Sequence, residues 1–179
     1  MNDLQILLSL GCRMVRLAPR AKRPLGAGWQ HRSTGELDVV EGWLAAGFNV
    51  GLLLGPESGV IDVETDTAEG DELAQHLGLD RIDGPGLTPT WRSARGAHRL
   101  YRWEPWMPET ATIDVGGLEL RIGGRAAQSV LPPSIHPGGA AYRWEIRPWV
   151  ETSGRSCIAE APESLRELLE GVCVGRVGR

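Results

Sequence analysis

The chain has 179 residues, of which 41% are hydrophobic and 23% are charged, proportions typical of one soluble globular domain. A formal net charge of −4 argues against a protein that coats nucleic acid over its whole surface, and the spacing of the three cysteines suits neither a zinc site nor a disulfide framework. The sequence contains no run of eighteen apolar residues and no secretory signal pattern, so we expect a cytoplasmic protein without a membrane partner.

Apolar side chains at helical spacing predict four helices, of which the second follows Ser33 and Glu36 at the spacing of a capping box. Period-two alternation and short apolar runs between Gly and Pro residues predict strands. Tight turns predict one hairpin of 49–54 with 60–64 and another of 91–93 with 98–103. The expected helices lie within 2–10, 37–46, 73–77 and 162–169, and the remaining expected strands lie within 13–18, 118–122, 128–131 and 141–146.

Charged residues form three blocks of alternating sign along the chain. Residues 4–35 contain no acid, residues 57–72 contain no lysine or arginine, and residues 91–103 are again free of acids. A concentrated negative block must be solvated or neutralised by cations. Each block alone is equally compatible with a solvated surface.

Two carboxylates, Asp62 and Glu64, fall on one face of a predicted strand, because strand side chains alternate in direction. Carboxylates held this close favour a hard divalent cation such as Mg²⁺ or Mn²⁺. Glu119, on a later strand, is a candidate third ligand, and such a cluster is typical of two-metal phosphoryl-transfer sites. Two alternatives stay open, namely an exposed acidic face for the first pair and a surface ion pair of Glu119 with Arg121 or Arg125.

A loop of small residues between Ser93 and His98 brings basic side chains to the end of a strand. Gly96 would allow a phosphate to approach the backbone, and Arg92 or Arg95 can hold a phosphate with two hydrogen bonds. Lys22, the only lysine, lies in an acid-free loop and is a further candidate for contact with phosphate or template. The alternative for His98 is a histidine that is packed in its strand or lies at the surface.

Four parts of the sequence carry a family pattern in a fixed order: 19–25 with 28–30, 49–52 with 59–64, 88–98, and 117–121 with 128–134 and 136–137. Together they resemble the prim-pol domain of the archaeo-eukaryotic primase superfamily, the N-terminal domain of bifunctional DNA primase/polymerases from plasmids, phages and mobile elements. Two features depart from that pattern. The third acid is Glu119, where many relatives have aspartate, and the loop from Ser93 to His98 is longer than in some relatives.

The resemblance implies an α/β fold of the α+β type. An N-terminal αβ unit would pack on a mixed or antiparallel sheet like that of the RNA-recognition motif, with the active site in the cleft between them. It also implies a single catalytic domain over 1–171, followed by a tail at 172–179 that can begin a linker to a further region.

The implied activity is template-directed nucleotidyl transfer that depends on two divalent ions, Mg²⁺ or Mn²⁺. The implied partners are deoxynucleoside or ribonucleoside triphosphates, a single-stranded or primed DNA template, and a helicase domain or protein. The implied catalytic and metal-binding residues are Asp62, Glu64 and Glu119, and the implied nucleotide-binding residues are Lys22, Ser93, Arg95 and His98.

Two other functions stay open at this point. The same fold with a degraded cluster would be a non-catalytic nucleotide- or nucleic-acid-binding module of a replication protein. Three carboxylates on an unrelated scaffold would suit a metal-dependent hydrolase of phosphate esters. Template-dependent incorporation, binding alone, and cleavage without a template distinguish the three functions.

Overall fold

The computed structural model describes residues 1–80, 86–108, 111–123, 127–149 and 157–177. In these ranges, short helices and strands are interspersed up to residue 76 and are followed by six strands and a last helix. None of the helices in these ranges is both long enough and apolar enough to cross a membrane. The helices are α1 (Asp3–Ser9), α2 (Leu37–Ala45), α3 (Ala68–His76) and α4 (Glu163–Val177), with a short 3-10 helix at Trp29–Arg32. The strands are β1 (Met14–Leu17), β2 (Asn49–Leu53), β3 (Val60–Thr65), β4 (Thr90–Arg92), β5 (Ala97–Arg102), β6 (Ala111–Val115), β7 (Leu118–Gly123), β8 (Gln128–Val130) and β9 (Arg143–Ile146).

These strands form two sheets in which all neighbours pair antiparallel. The small sheet has the order β1-β2-β8, and the large sheet has the order β6-β7-β3-β5-β4-β9. Strand β3 therefore lies inside the large sheet, with β7 on one side and β5 on the other. The arrangement confirms the expected α+β composition with antiparallel sheets.

Helices α3 and α4 cover one face of the large sheet. Ile61 and Val63 of β3 point to this face and are fully buried, as the period-two pattern predicts. Asp62 and Glu64 therefore point to the opposite face. The hydrophobic core on the helical face also contains Ala74, Tyr101, Leu118, Leu120, Ile122, Leu165 and Leu169.

The opposite face of the large sheet meets the small sheet. Trp91 on β4 and Leu100 on β5 are fully buried in the same hydrophobic core as the apolar side chains of α1, α2 and the small sheet. The indole Nε1 of Trp91 also donates a hydrogen bond to the backbone oxygen of Val130 on β8, at 2.9 Å. Strand β8 therefore lies against the polar face of the large sheet.

The predicted hairpin of 49–54 with 60–64 is wrong. Strand β2 pairs with β1 and β8, whereas β3 pairs with β5 and β7, so the two strands belong to different sheets. Each strand has partners along both edges, so neither offers an edge to the other. The predicted hairpin of β4 with β5 is confirmed.

The predicted capping box at the start of α2 is also wrong. The Ser33 hydroxyl accepts a hydrogen bond from Nε of Arg13, at 2.9 Å, so it is not available to the helix. Glu36 itself takes the N-cap position without a side-chain bond, and the Thr34 hydroxyl accepts from the backbone nitrogen of Glu36 at 3.0 Å.

Two elements differ from the expected pattern in extent. The sequence does not predict β6, because its exposed residues Thr112 and Asp114 leave little apolar signal in a strand at the sheet edge. Helix α4 continues to Val177, so residues 172–177 of the predicted tail are helical. The domain boundary at residue 171 stays a prediction.

A pair of glycine variants tests the packing of α3 against the turn that leads into β7. A Cβ at Gly70 would overlap with the backbone oxygen of Gly117, whereas a Cβ at Gly42 in α2 would meet open space. We expect Gly70→Ala to lower the free energy of unfolding by about 1–3 kcal/mol, because the backbone must shift. Gly42→Ala is the matched control and should raise it by up to about 1 kcal/mol through helix propensity. Urea unfolding measures both values, and equal stabilisation by the two variants would contradict this packing.

Candidate functional site

The register of three strands brings acidic, basic and imidazole side chains onto the polar face of the large sheet. Glu64 on β3 lies opposite His98 on β5 and opposite Glu119 on β7, and Asp62 lies opposite Arg121 on β7. Directly opposed residues of antiparallel strands have neighbouring side chains on the same face. The five side chains therefore form one group at the middle of the sheet.

Asp62, Glu64 and His98 form the buried part of this group. Their exposed fractions are 0%, 4% and 2%, and their potential ligand atoms all lie within 4.8 Å of one another. Nδ1 of His98 is 2.8 Å from Oδ2 of Asp62, and Nε2 of His98 is 3.5 Å from Oε1 of Glu64. The predicted convergence of Asp62 and Glu64 is confirmed, and the alternative of an exposed acidic face is wrong for this pair.

A serine from the other sheet completes the surroundings of Asp62. The hydroxyl of Ser129 on β8 donates a hydrogen bond to Oδ2 of Asp62, and Ser129 is fully buried. Asp62 therefore receives hydrogen bonds across the junction between the two sheets. Sequence reasoning missed this residue, although a serine beside apolar Val130 and Leu131 on a predicted strand was an available signal.

Arg121 lies between Glu64 and Glu119. One of its guanidinium nitrogens, Nη2, forms an ion pair with Oε2 of Glu64, and Nε is 2.9 Å from Oε1 of Glu119. The side chain of Glu119 is 37% exposed and does not belong to the buried ligand group. The alternative pairing of Glu119 with Arg121 is therefore present in the structure, whereas Arg125 lies outside the described residues.

The charges of this group shift the pKa values of the two buried acids in opposite directions. Burial raises the pKa of Asp62, but His98, Arg121 and the Ser129 hydroxyl outweigh burial and hold it below its ordinary value. Burial dominates at Glu64, where the neighbouring carboxylates Asp62 and Glu119 add to the effect, so the pKa of Glu64 is raised. Of these two buried acids, Glu64 is therefore protonated before Asp62 as the pH falls.

The buried group fits a divalent cation. Oδ1 of Asp62 and Nε2 of His98 are buried without a hydrogen-bond partner, and such atoms in a native structure call for an ion or a water molecule. Two carboxylates and one imidazole form a mixed oxygen and nitrogen donor set. This set suits Mn²⁺ better than Mg²⁺, which prefers oxygen ligands alone.

Aromatic rings enclose His98. The Trp91 ring stacks on its imidazole with centroids 4.8 Å apart and planes inclined by 3°, and the Tyr142 ring lies at 6.4 Å. Burial and the charge of Glu64 raise the pKa of Tyr142 to about 12, so its hydroxyl stays protonated at neutral pH. His98 thus faces the carboxylates from a closed pocket, and its predicted contact with phosphate stays a prediction.

The other predicted phosphate ligands lie on exposed loops. Ser93 organises the turn between β4 and β5, where its hydroxyl accepts hydrogen bonds from the backbone nitrogens of Gly96 and Arg95 at 3.0 and 3.3 Å. The Arg95 side chain is 74% exposed, and its Nη2 is 3.5 Å from Oδ2 of Asp66.

Close packing against the backbone of β3 requires a glycine at position 96. A Cβ at this position would overlap with the backbone oxygen of Thr65, so the turn between β4 and β5 packs directly against the end of β3. The expected approach of a phosphate on that side of Gly96 is therefore replaced by a contact within the protein.

Lys22 is exposed, and its loop is attached to the small sheet. The backbone oxygen of Lys22 accepts a hydrogen bond of 2.9 Å from Nε2 of Gln128, the residue before Ser129. The loop that carries Lys22 is therefore attached to the residue next to Ser129, whose hydroxyl donates to Asp62.

Comparison with protein families adds one finding to this geometry. The model of the family described as bifunctional DNA primase/polymerase, N-terminal, matches residues 4–164. The matched range contains all the site residues described above and covers most of the chain. A comparison with curated proteins found no match.

The hydrogen bond from Ser129 predicts a change in the titration of Asp62. Because the pKa of folded Asp62 is lowered, its ionised form stabilises the fold above its ordinary pKa, and this stabilisation is lost as the pH falls through the folded value. We expect Ser129→Ala to raise the pKa of Asp62 and to move this loss to higher pH. Carbon-13 NMR titration of the Asp62 carboxyl measures the shift.

Ser134→Ala is the matched control, because Ser134 is also buried but donates to the backbone oxygen of Val50, at 3.1 Å. Both variants should lower the free energy of unfolding by about 1–3 kcal/mol. An unchanged Asp62 titration in Ser129→Ala would contradict the assigned contact.

Mn²⁺ should stabilise the folded protein through Asp62, Glu64 and His98. At a concentration about 100-fold above its Kd, a ligand adds about 2.7 kcal/mol, which corresponds to a rise in Tm of about 5–10 °C for a domain of this size. We expect Asp62→Asn, which keeps the side-chain shape, to abolish the rise. Asp114→Asn removes an exposed acid of the same sheet and should leave it intact. Equal rises in Tm in both variants would place the ion elsewhere.

Proposed function

The chain belongs to the family of bifunctional DNA primase/polymerase N-terminal domains, and from this premise we propose that it performs template-directed, divalent-metal-dependent nucleotidyl transfer. Its substrates would be deoxynucleoside or ribonucleoside triphosphates, and its template single-stranded or primed DNA. The observation that carries the proposal is the buried group of Asp62, Glu64 and His98, whose donor atoms lie within 4.8 Å of one another.

Asp62, Glu64 and His98 would hold a divalent cation, Mn²⁺ or Mg²⁺. When bound, such a cation would supply activation of the attacking hydroxyl and neutralisation of the charge that develops on the phosphate. The chain's own contribution is orientation, because Ser129 fixes Asp62 and Trp91 fixes the imidazole of His98. The rings of Trp91 and Tyr142 also lie against His98 and help to shield its imidazole from water.

We propose that Glu119 binds a second divalent ion together with Glu64. Support comes from the register, in which Glu119 lies directly opposite Glu64 on the same face. Arg121 holds both carboxylates in the structure, so its guanidinium must move away before a second ion can share them. We further propose that Lys22, Ser93, Arg95 and His98 contribute to nucleotide binding, in a cleft between an RNA-recognition-motif-like large sheet and the N-terminal unit.

The biological setting is part of the proposal. By its resemblance to the family, we propose that the domain acts in plasmid, phage or mobile-element replication in the cytoplasm, with a helicase domain or protein as a partner. A catalytic unit over 1–171 fits the family match, which ends at residue 164.

A non-catalytic nucleotide- or nucleic-acid-binding module is the second candidate function. The observation that favours it is Arg121, which already neutralises Glu64 and Glu119 and can thereby take the place of a metal ion. In that case the fold and the exposed basic residues would bind nucleotide or DNA without transfer.

Primer extension tests the proposed function. We expect labelled nucleotide to be incorporated on a primed template in the presence of Mn²⁺ or Mg²⁺, and Asp62→Asn to lower the rate by about 100-fold or more, since metal-assisted charge stabilisation contributes several kcal/mol. Asp114→Asn is the control and should retain the rate. Nucleotide binding without incorporation would favour the binding module, and template-independent cleavage would favour a hydrolase.

Counting bound Mn²⁺ by electron paramagnetic resonance tests the roles of Glu119 and Arg121. If a second ion competes with the guanidinium, Arg121→Gln should lower the Kd of the second Mn²⁺ ion by about 10-fold or more. The reason is that hydrogen bonds to charged groups contribute about 1.5–3 kcal/mol. Arg147→Gln alters a 75% exposed arginine and serves as the control. A single ion in both the wild type and Arg121→Gln would contradict the assignment of Glu119 to a second ion.

A further inference from the structure

One buried asparagine joins two loops at the rim of the candidate site. Nδ2 of Asn49 donates hydrogen bonds to the backbone oxygens of Ala21 and Ile135, at 3.0 and 2.7 Å. Its Oδ1 accepts from the backbone nitrogen of Ile135 at 3.0 Å, and the side chain is 3% exposed in total. Asn49 therefore joins the two loops at the residues that directly precede Lys22 and His136.

The hydrogen bonding of His136 determines which of its ring nitrogens is a donor. Nδ1 accepts a hydrogen bond of 3.0 Å from the backbone nitrogen of Gly138, so the neutral ring carries its proton on Nε2. His136 is partly exposed, in contrast to His98. Burial, together with the positive charges of Lys22 and Arg95, lowers the pKa of His136 and so favours the neutral ring.

Two loops bring positive charge to the turn of His136, namely the loop of Arg20 and Lys22 and the turn between β4 and β5 that carries Arg95. Lys22 and Arg95 both act electrostatically on His136, and Nη2 of Arg20 lies 3.2 Å from the position that a Cβ on Gly139 would take. Within the described residues, Arg95 has an ion pair with Asp66, whereas no carboxylate forms an ion pair with Arg20 or Lys22. Arg20, Lys22 and Arg95 thus form a cationic surface beside His136, with one ion pair in the described part of the chain, that of Arg95 with Asp66.

This surface adjoins the proposed metal centre. The ring of His136 lies 6.0 Å from that of Tyr142, which lies 6.4 Å from the ring of His98. The loop of Lys22 is bonded to Gln128, the neighbour of Ser129. An anion bound at the rim would therefore lie beside the cluster that would hold the divalent cation.

We propose that His136, Lys22 and Arg95 bind the triphosphate of the incoming nucleotide, with Nε2–H of His136 as a hydrogen-bond donor to a phosphate oxygen. The proposal rests on the proposed nucleotidyl transfer and specifies a subsite for it. Two cations and one neutral donor suit a triphosphate, whose α-phosphate is transferred to the primer while its β- and γ-phosphates leave as pyrophosphate. His98, buried between Asp62 and Glu64, lies on the metal side of the same nucleotide site.

Two substitutions of His136 separate its two ring nitrogens. His136→Asn keeps an acceptor near the position of Nδ1, which preserves the bond from Gly138, and removes the donor at Nε2. His136→Gln keeps a donor near the position of Nε2. His31→Asn removes an exposed histidine of the short 3-10 helix and is the control. A common Tm for the four proteins verifies that they are folded.

Calorimetry with a non-hydrolysable deoxynucleoside triphosphate and with inorganic tripolyphosphate measures the effect. We expect His136→Asn to raise both Kd values by about 10-fold or more, His136→Gln to recover part of this loss, and His31→Asn to match the wild type. In extension assays KM for nucleotide should rise with kcat nearly unchanged, and Mn²⁺ affinity should not change. Tripolyphosphate should raise the pKa of His136, as measured by NMR.

Unchanged nucleotide affinity in His136→Asn would overturn the proposal, even if Asp62→Asn abolishes extension and so supports the proposed function. A loss of affinity for single-stranded DNA alone in His136→Asn would also overturn the proposal, because His136 would then contact the template and not the triphosphate. If the wild type binds no nucleotide, both the proposed function and this subsite fail.

Discussion

The structure depends on how the buried carboxylate of Asp62 is held at the junction of the two sheets. A buried charge is costly unless it is paired and hydrogen-bonded. Asp62 receives the hydroxyl of Ser129 from the small sheet and the imidazole of His98 from the large sheet, and both lower its pKa. These bonds occupy Oδ2, while Oδ1 stays buried without a partner. The hydrogen bonds that hold Asp62 therefore leave its Oδ1 available to a ligand.

Arg121 gives the site a second property, because it neutralises acids that a metal ion would also neutralise. Its guanidinium bonds to Glu64 and Glu119, and the charges of these acids, with that of Asp62, raise the pKa of Arg121 despite its burial. In the absence of a cation, this pairing reduces the repulsion among carboxylates that lie side by side. A metal ion at Glu64 would therefore compete with the arginine ion pairs, and we propose that this competition would limit how tightly a second ion binds.

The sequence predicts those features that depend on one strand and misses those that depend on register between strands. Period-two alternation places Asp62 and Glu64 on one face, as found. Their burial, and the position of His98 between them, follow from the pairing of β3 with β5, which no local pattern specifies. The wrong prediction of a hairpin between 49–54 and 60–64 has the same origin. The tight turn between these segments does not show that each strand pairs with two other strands. Ser129 was missed because it reaches Asp62 from another sheet.

The central claim is that Asp62, Glu64 and His98 bind a divalent cation, and a crystal grown with Mn²⁺ tests it most directly through anomalous scattering at the manganese edge. The account predicts an anomalous peak in contact with Oδ1 of Asp62, Glu64 and the imidazole of His98. A map in which Nδ1 of His98 still bonds to Asp62 and no manganese lies at the cluster, at a concentration that supports extension, would contradict it.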